Sequence, residues 1–119
     1  MTAHCENLTL MRIYIGESDR HGHQPLYEVL LDLFHNEGCR GATVIRGIAG
    51  FGSHGQVHSD RLLRLSGDLP LIVEAVDYRE KLEAIMPKVD AMLQGGMITL
   101  EQVTVISQGG AALKPGRQD

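Results

Sequence analysis

Two hydrophobic spacings alternate along this chain of 119 residues. Residues 8–16, Leu-Thr-Leu-Met-Arg-Ile-Tyr-Ile-Gly, are rich in β-formers and read as a first strand. His21-Gly22-His23 is a connection, and Pro25 suits the first turn of a helix. Leu26, Val29, Leu30, Leu33 and Phe34 then recur on one helical face, and Gly38 is a natural stop. Residues 41–48 form a second, β-branched strand, and residues 69–76 a third, entered through Pro70 at its edge. Asp77 and Glu80 have the spacing of a capping box, so a second helix is predicted from there. Its apolar face carries Leu82, Ile85, Met86, Val89, Met92 and Leu93, with Pro87 inside the pattern and Gly95-Gly96 ending it. A short last strand is predicted over 103–106.

The order is β-α-β, long loop, β-α-β. That is the α+β, ferredoxin-like βαβ-βαβ sandwich, a mainly antiparallel four-stranded sheet with two helices on one face. The length suits a single domain over residues 1–119, with an ordered core at about 8–106 and a flexible tail over 107–119. Residues 56–66 fit a helix poorly. Arg61, Leu62, Leu63, Arg64 and Leu65 suit an extra strand or the ordered stem of the loop.

Strand alternation places Met11, Ile13 and Ile15 under the helices and Leu10, Arg12 and Tyr14 on the open face. The corresponding open-face sets are Val44, Arg46 and Ile48 in the second strand, and Ile72, Glu74 and Val76 in the third. A mixture of aliphatic residues with Arg12, Arg46 and Glu74 fits a subunit interface. Within it Arg46 and Glu74 are expected to form a salt bridge, and Arg12 and Glu74 are the candidate interface residues. The alternative is an unusually apolar exposed sheet.

The second strand opens into a loop with four glycines in nine residues, at 47, 50, 52 and 55, and with Phe51 between two of them. Glycines permit φ > 0, so backbone N–H groups there can converge on an anion. A mobile recognition loop on a rigid sheet and an inert Gly-rich hairpin both fit this composition.

Bulk composition narrows the partners. Net charge is −4 and the pI about 5.8, which argues against nucleic acid. The longest apolar runs are short of a membrane span, and residues 1–10 lack signal-peptide features. Cys5 and Cys39 lack C-x-x-C spacing and read as reduced thiols, so a cytoplasmic protein is expected. His21, His23, His54 and His58 lack the spacing of a structural zinc site, so no metal ligands are assigned. Glu17, Asp19 and Asp60 read as ordinary surface carboxylates. Neither a nucleophile elbow nor a Rossmann or P-loop fingerprint is supported, and no catalytic residues are assigned.

Arg-Gly-Ile-Ala-Gly-Phe-Gly at 46–52, Leu-Leu-Arg-Leu-Ser at 62–66 and Asp-Leu-Pro at 68–70 resemble the signature of a bacterial PII-like domain family of unknown function. Through that family the chain is similar, more distantly, to the PII nitrogen-signalling proteins. Those are ferredoxin-like homotrimers that bind adenine nucleotides between subunits and present a long loop to target proteins. The resemblance sets Gly50, Phe51 and Gly52 at the base of the PII recognition loop, where backbone approaches the nucleotide phosphates. The guanidinium of Arg46 nearby can bind phosphate oxygens. Arg46, Gly47, Gly50, Phe51 and Gly52 are therefore the candidate ligand residues, with an adenine nucleotide or another small anion as the candidate ligand. The Gly-Asp-Gly-Lys turn of PII is replaced here by Gln94-Gly95-Gly96-Met97, and its basic segment by Ser107-Gln108-Gly109-Gly110. A mono- or diphosphate nucleotide is therefore at least as well suited as ATP.

The expectation is a homotrimeric regulatory module, not an enzyme. An effector would shift the arrangement of residues 50–60, and a transporter or enzyme would read that shift. A metal-responsive trimer like the copper-tolerance proteins is one alternative. A small ferredoxin-like enzyme with His54 or His58 as base is another.

Overall fold

The structure is a computed structural model, and it describes residues 5–51 and 68–107. Strand β1 (Glu6–Gly16) is followed by a small hairpin of β2 (Arg20–His21) and β3 (Gln24–Pro25). Helix α1 (Leu26–Asn36), strands β4 (Gly41–Arg46) and β5 (Pro70–Asp77), helix α2 (Arg79–Met92) and strand β6 (Met97–Val105) complete the order. The main sheet runs β4-β5-β1-β6, every neighbouring pair antiparallel. This is the ferredoxin-like plan of the sequence reading. Among the described residues no helix is long and apolar enough to cross a membrane.

The core forms between the helices and one sheet face. Met11, Ile13 and Ile15 of β1 and Leu71, Val73 and Ala75 of β5 are buried against Leu26, Leu30 and Phe34 of α1 and Leu82, Ile85 and Val89 of α2. Each large side chain so buried contributes about 1.5–3 kcal/mol relative to exposure. Helix α1 begins after Pro25, whose fixed φ of −58° pre-sets the chain direction. It ends where Gly38 takes φ +77°. There the Cys39 N–H reaches the Phe34 carbonyl at 3.0 Å and the Gly38 N–H reaches His35 at 3.1 Å, a Schellman closure.

Several expectations need correction. In β4 it is Val44 that packs toward the core, opposite Val73, while Thr43 and Ile45 lie opposite Glu74 and Ile72 on the open face. The open-face set Val44, Arg46 and Ile48 is thus one residue out of phase, and a one-residue slip exchanges the two faces of a strand. Residues 47 and 48 lie beyond the strand, because β4 ends at Arg46. The capping box does not form. Tyr78 is the N-cap of α2 without a side-chain cap bond, and Asp77 is the last residue of β5. The Asp77 carboxylate instead accepts from the Tyr78 N–H at 2.7 Å and the Arg40 N–H at 3.2 Å, tying the end of β5 to the α1–β4 turn. Pro87 is carried inside α2 without ending it.

Strand β1 starts two residues earlier than predicted because Glu6 has a partner there. Its buried carboxylate receives Arg40 Nη1 at 2.6 Å, Arg40 Nη2 at 3.1 Å and the Tyr78 hydroxyl at 2.6 Å. The hydrogen bonds to Glu6 raise the Arg40 pKa further above its ordinary value, against the opposing effect of burial. Strand β6 spans nine residues, far more than 103–106. Its first half pairs with β1, Ile98 opposite Ile13 and Leu100 opposite Met11, so its apolar residues complete the core rim.

The turn before β6 depends on a missing side chain. A Cβ at Gly96, where φ is +96°, would lie 2.5 Å from the Tyr14 carbonyl oxygen. Alanine there combines backbone strain with a clash against main chain. Gly96→Ala is expected to cost about 2–4 kcal/mol, read as a lower urea midpoint at unchanged m. Gly41→Ala, where nothing lies within 4 Å of the added Cβ, is expected to leave the midpoint almost unmoved.

Candidate functional site

The antiparallel register gathers distant segments at one end of the sheet. Gly16 faces Pro70, Arg46 faces Leu71 and Tyr14 faces Met97. The turn after β1, the exit of β4 and the entrance of β5 therefore meet there, and they flank both sides of the long Gly-rich segment.

Short polar contacts join them. The Glu17 N–H donates to the Leu69 carbonyl at 2.8 Å, and the Gly47 N–H donates to the Pro70 carbonyl at 2.7 Å. Asp68 Oδ1 accepts from the Ser18 hydroxyl at 2.7 Å and the Ser18 N–H at 3.3 Å. Asp19 Oδ2 accepts from the Gly16 N–H at 3.0 Å, which shapes the turn itself. Arg46 Nη2 donates to Glu17 Oε2. One turn of four residues thus grips both flanks of the segment that joins β4 to β5. Glu17 and Asp19, which read as ordinary surface carboxylates in the sequence, are its working parts. The Gly-Glu-Ser-Asp run directly after a strand was the available signal, since Asp two or three residues into a turn bonds back to main chain.

The predicted ligand residues Arg46, Gly47, Gly50 and Phe51 all stand at this root. Gly52 lies outside the described residues, as do residues 56–66, His54, His58 and the tail beyond Ser107. Two of the glycines have a packing role. A Cβ on Gly47 would lie 2.9 Å from Pro70 Cγ, and one on Gly50 would lie 3.2 Å from it, with φ +158° at Gly50. The chain therefore passes flush over the Pro70 ring. The Gly47 N–H is committed to Pro70, whereas the Arg46 side chain is 63% exposed. Ile48 and Phe51, two and five residues further along the chain, are 83% and 72% exposed, large apolar groups facing solvent.

The open sheet face carries a second polar group. Arg12 Nε donates to Glu74 Oε2 at 3.0 Å and Arg12 Nη1 donates to Glu101 Oε1 at 2.6 Å. The bond to Glu74, then that to Glu101, raises the Arg12 pKa above its ordinary value. Arg12 and Glu74 are thus brought together as candidate interface residues. The expected pair of Arg46 with Glu74 is not formed, because Arg46 leaves β4 on the opposite face and turns to Glu17. Glu101 was missed, since it lies ahead of the strand predicted over 103–106, within β6 as it forms. Around this triad lie Leu10, Tyr14, Ile72, Val76, Ile45 and Met97, the last two 43% and 55% exposed.

Elsewhere at the same end, Ser18, Asp19, Arg20, Gly22, Leu26, Met92 and Gln94 line a cleft of about 350 Å³ between the start of α1 and the end of α2. Among the described residues no group of three or more His, Cys, Asp or Glu side chains could hold a metal ion. Cys5 and Cys39 are free thiols, and burial, then the Asp77 charge, pushes the Cys39 thiol up.

The family DUF190, described as "Uncharacterized ACR", matches residues 8–105. A UPF0166 protein of Aquifex aeolicus is 36% identical over 97 residues, 82% of this chain and 91% of that protein. A UPF0166 protein of Methanocaldococcus jannaschii is 34% identical over 92 residues, 76% of this chain and 84% of that protein. Among solved structures, CPII of Thiomonas intermedia K12, a nitrogen regulatory PII-like protein bound to ADP, AMP and bicarbonate, has the same fold. It superposes with TM-score 0.59 at 21% identity, covering 87% of this chain and 92% of that one. A Thermus thermophilus chain described as PII-like gives TM-score 0.58 at 17% identity, covering 86% of this chain and 91% of that one.

The packing of Gly47 on Pro70 is testable by a double-mutant cycle. Gly47→Ala is expected to cost about 1–3 kcal/mol through overpacking. Pro70→Ala removes the opposing Cγ, so the double variant should recover most of that loss in urea unfolding. Simple additivity of the two changes would mean that Gly47 serves something other than this contact.

Proposed function

The chain belongs to the DUF190 family, and from that premise we propose that it is a PII-like homotrimeric regulatory module, not an enzyme. In this reading an adenine nucleotide, AMP or ADP in class, binds by its phosphate at the loop root. The long segment after Phe51 is then presented to a partner protein, a transporter or an enzyme. The observation that carries it is the exposed Arg46 guanidinium, followed within five residues by the exposed Ile48 and Phe51, at the exit of β4 where the turn at Gly16 holds both flanks of the segment joining β4 to β5. A guanidinium recognises phosphate by two parallel N–H donors, and an aromatic beside it suits a base or ribose. The fold neighbour CPII, bound to ADP, AMP and bicarbonate, supports the ligand class.

Assembly through the open sheet face supplies the rest of the site. An apolar surface built of Leu10, Tyr14, Ile72, Val76, Ile45 and Met97, with one arginine held between two glutamates, has the character of an interface core. Packing those faces around a three-fold axis sets the loop root of one subunit against its neighbour. Ligand binding in that cleft would shift the population of loop arrangements, which is the regulatory output.

Titration calorimetry with AMP, ADP, ATP and cyclic nucleotides is expected to show binding at micromolar to millimolar ligand. Arg46→Ala is expected to weaken it ten- to a hundred-fold, the loss of a charge-assisted contact worth about 1.5–3 kcal/mol. Absence of heat with every nucleotide, or binding indifferent to Arg46, overturns the site.

Sedimentation is expected to find a trimer at micromolar concentration. Glu74→Ala leaves Arg12 with Glu101 as partner, so the protomer should stay folded while dissociation moves to higher protein concentration. A wild-type monomer overturns the assembly.

A further inference from the structure

Glu17 occupies an unusual position in the clasp. Its main chain is fixed to Leu69, and the next residue, Ser18, is fixed to Asp68, so its carboxylate cannot drift away from the loop root. One oxygen, Oε2, accepts from Arg46. The other, Oε1, is buried and accepts from no donor among the described residues. A carboxylate oxygen removed from solvent without a donor is unfavourable, and opening the contact to Arg46 relieves it by letting water in.

Arg46 is in the converse situation. Its side chain is 63% exposed and its one bond to Glu17 uses one of five N–H donors. Pairs with so exposed a partner are weak and readily exchanged. A bidentate contact to an anionic oxygen pair on a ligand is stronger and better matched to the guanidinium fork. Glu17 thus holds the right residue by the weaker of two available contacts.

We infer that Glu17 and the anionic group of a ligand compete for Arg46, so that Glu17 is a positioning residue that limits anion affinity at the loop root. This rests on the reading of the root as an anion site. In the exchange Arg46 passes from Glu17 Oε2 to the ligand, and both Glu17 oxygens become available to water. Because Ser18 of the same turn holds Asp68, the exchange is felt at both flanks of the loop, Arg46 on one side and Asp68 on the other. Ligand occupancy is thereby converted into a change at the loop root without any movement of the core.

The sign of one substitution tests this. Glu17→Gln keeps the shape of the side chain and removes its charge, so the full-length protein should bind inorganic phosphate and AMP about 3- to 10-fold more tightly by calorimetry. Glu17→Asp, too short to keep the contact, should shift affinity the same way. A side chain that merely braced Arg46 for its ligand would do the opposite, and weaker or unchanged binding in both variants overturns the exchange. Should neither variant fold, the unmodified protein still decides. The Arg46 Nε–H and Glu17 carboxyl resonances should move together as AMP is titrated, and a Glu17 signal that stays put while Arg46 moves overturns the proposal. Loss of binding in Arg46→Ala keeps the anion site whatever Glu17 does. Failure of the wild-type protein to bind phosphate or any nucleotide overturns the site and the exchange together.

Discussion

The pairing of β1 on both of its edges is the constraint on which the candidate site depends. Residues 9–14 of β1 face β5 on one side and β6 on the other in an unbroken register. A shift of one residue along either seam would exchange core and open faces, exposing Met11 and Ile13 and burying Arg12. The same register sets Gly16 against Pro70 and Tyr14 against Met97, and so decides which loops meet. The hydrophobic face holds the register, and the register builds the site.

Glycine at this end has two kinds of meaning, and the structure separates them. Gly96 permits main chain to approach the Tyr14 carbonyl, and Gly47 and Gly50 permit it to pass over the Pro70 ring. These are packing requirements. A Gly-rich loop following a strand resembles a phosphate cradle in sequence, yet the N–H of Gly47 is used within the fold. In the proposed reading, an anion at the root would therefore be met by the Arg46 guanidinium more than by the amide of Gly47, which is already bonded to Pro70.

Charge is distributed by the same logic. The deep pair, Glu6 with Arg40, is bidentate, joined by Tyr78, and locks the end of the sheet away from the loop. The open-face triad of Arg12, Glu74 and Glu101 is partly exposed. The contact of Arg46 with Glu17 is the most asymmetric, one partner mainly in solvent and the other 19% exposed with an idle oxygen. The Glu6–Arg40 pair is closed on both sides, and the pair at the loop root is not.

Much of this protein was legible in its residue spacing. The two amphipathic helices, the alternation in β1 and β5, the ferredoxin-like order and the placement of Arg46, Gly47, Gly50 and Phe51 at a strand exit all follow from local periodicity and glycine chemistry. Local preference has a short range, however. It could not choose the phase of β4, where Val44 and Ile45 are equally apolar and only pairing with Val73 tells inside from outside. It undercounted β6, whose first half is held by β1 and the core more than by its own propensity. It paired Arg46 with Glu74 and treated Glu17 as surface, because salt-bridge partners are selected by distances across the sheet, 29 residues apart for Arg46 and Glu17. The sequence by itself determined the elements, their order and the residue types available at the root. Only the tertiary structure decided which face, which partner and which oxygen is left over, since those are set by packing and register between segments that local spacing cannot see.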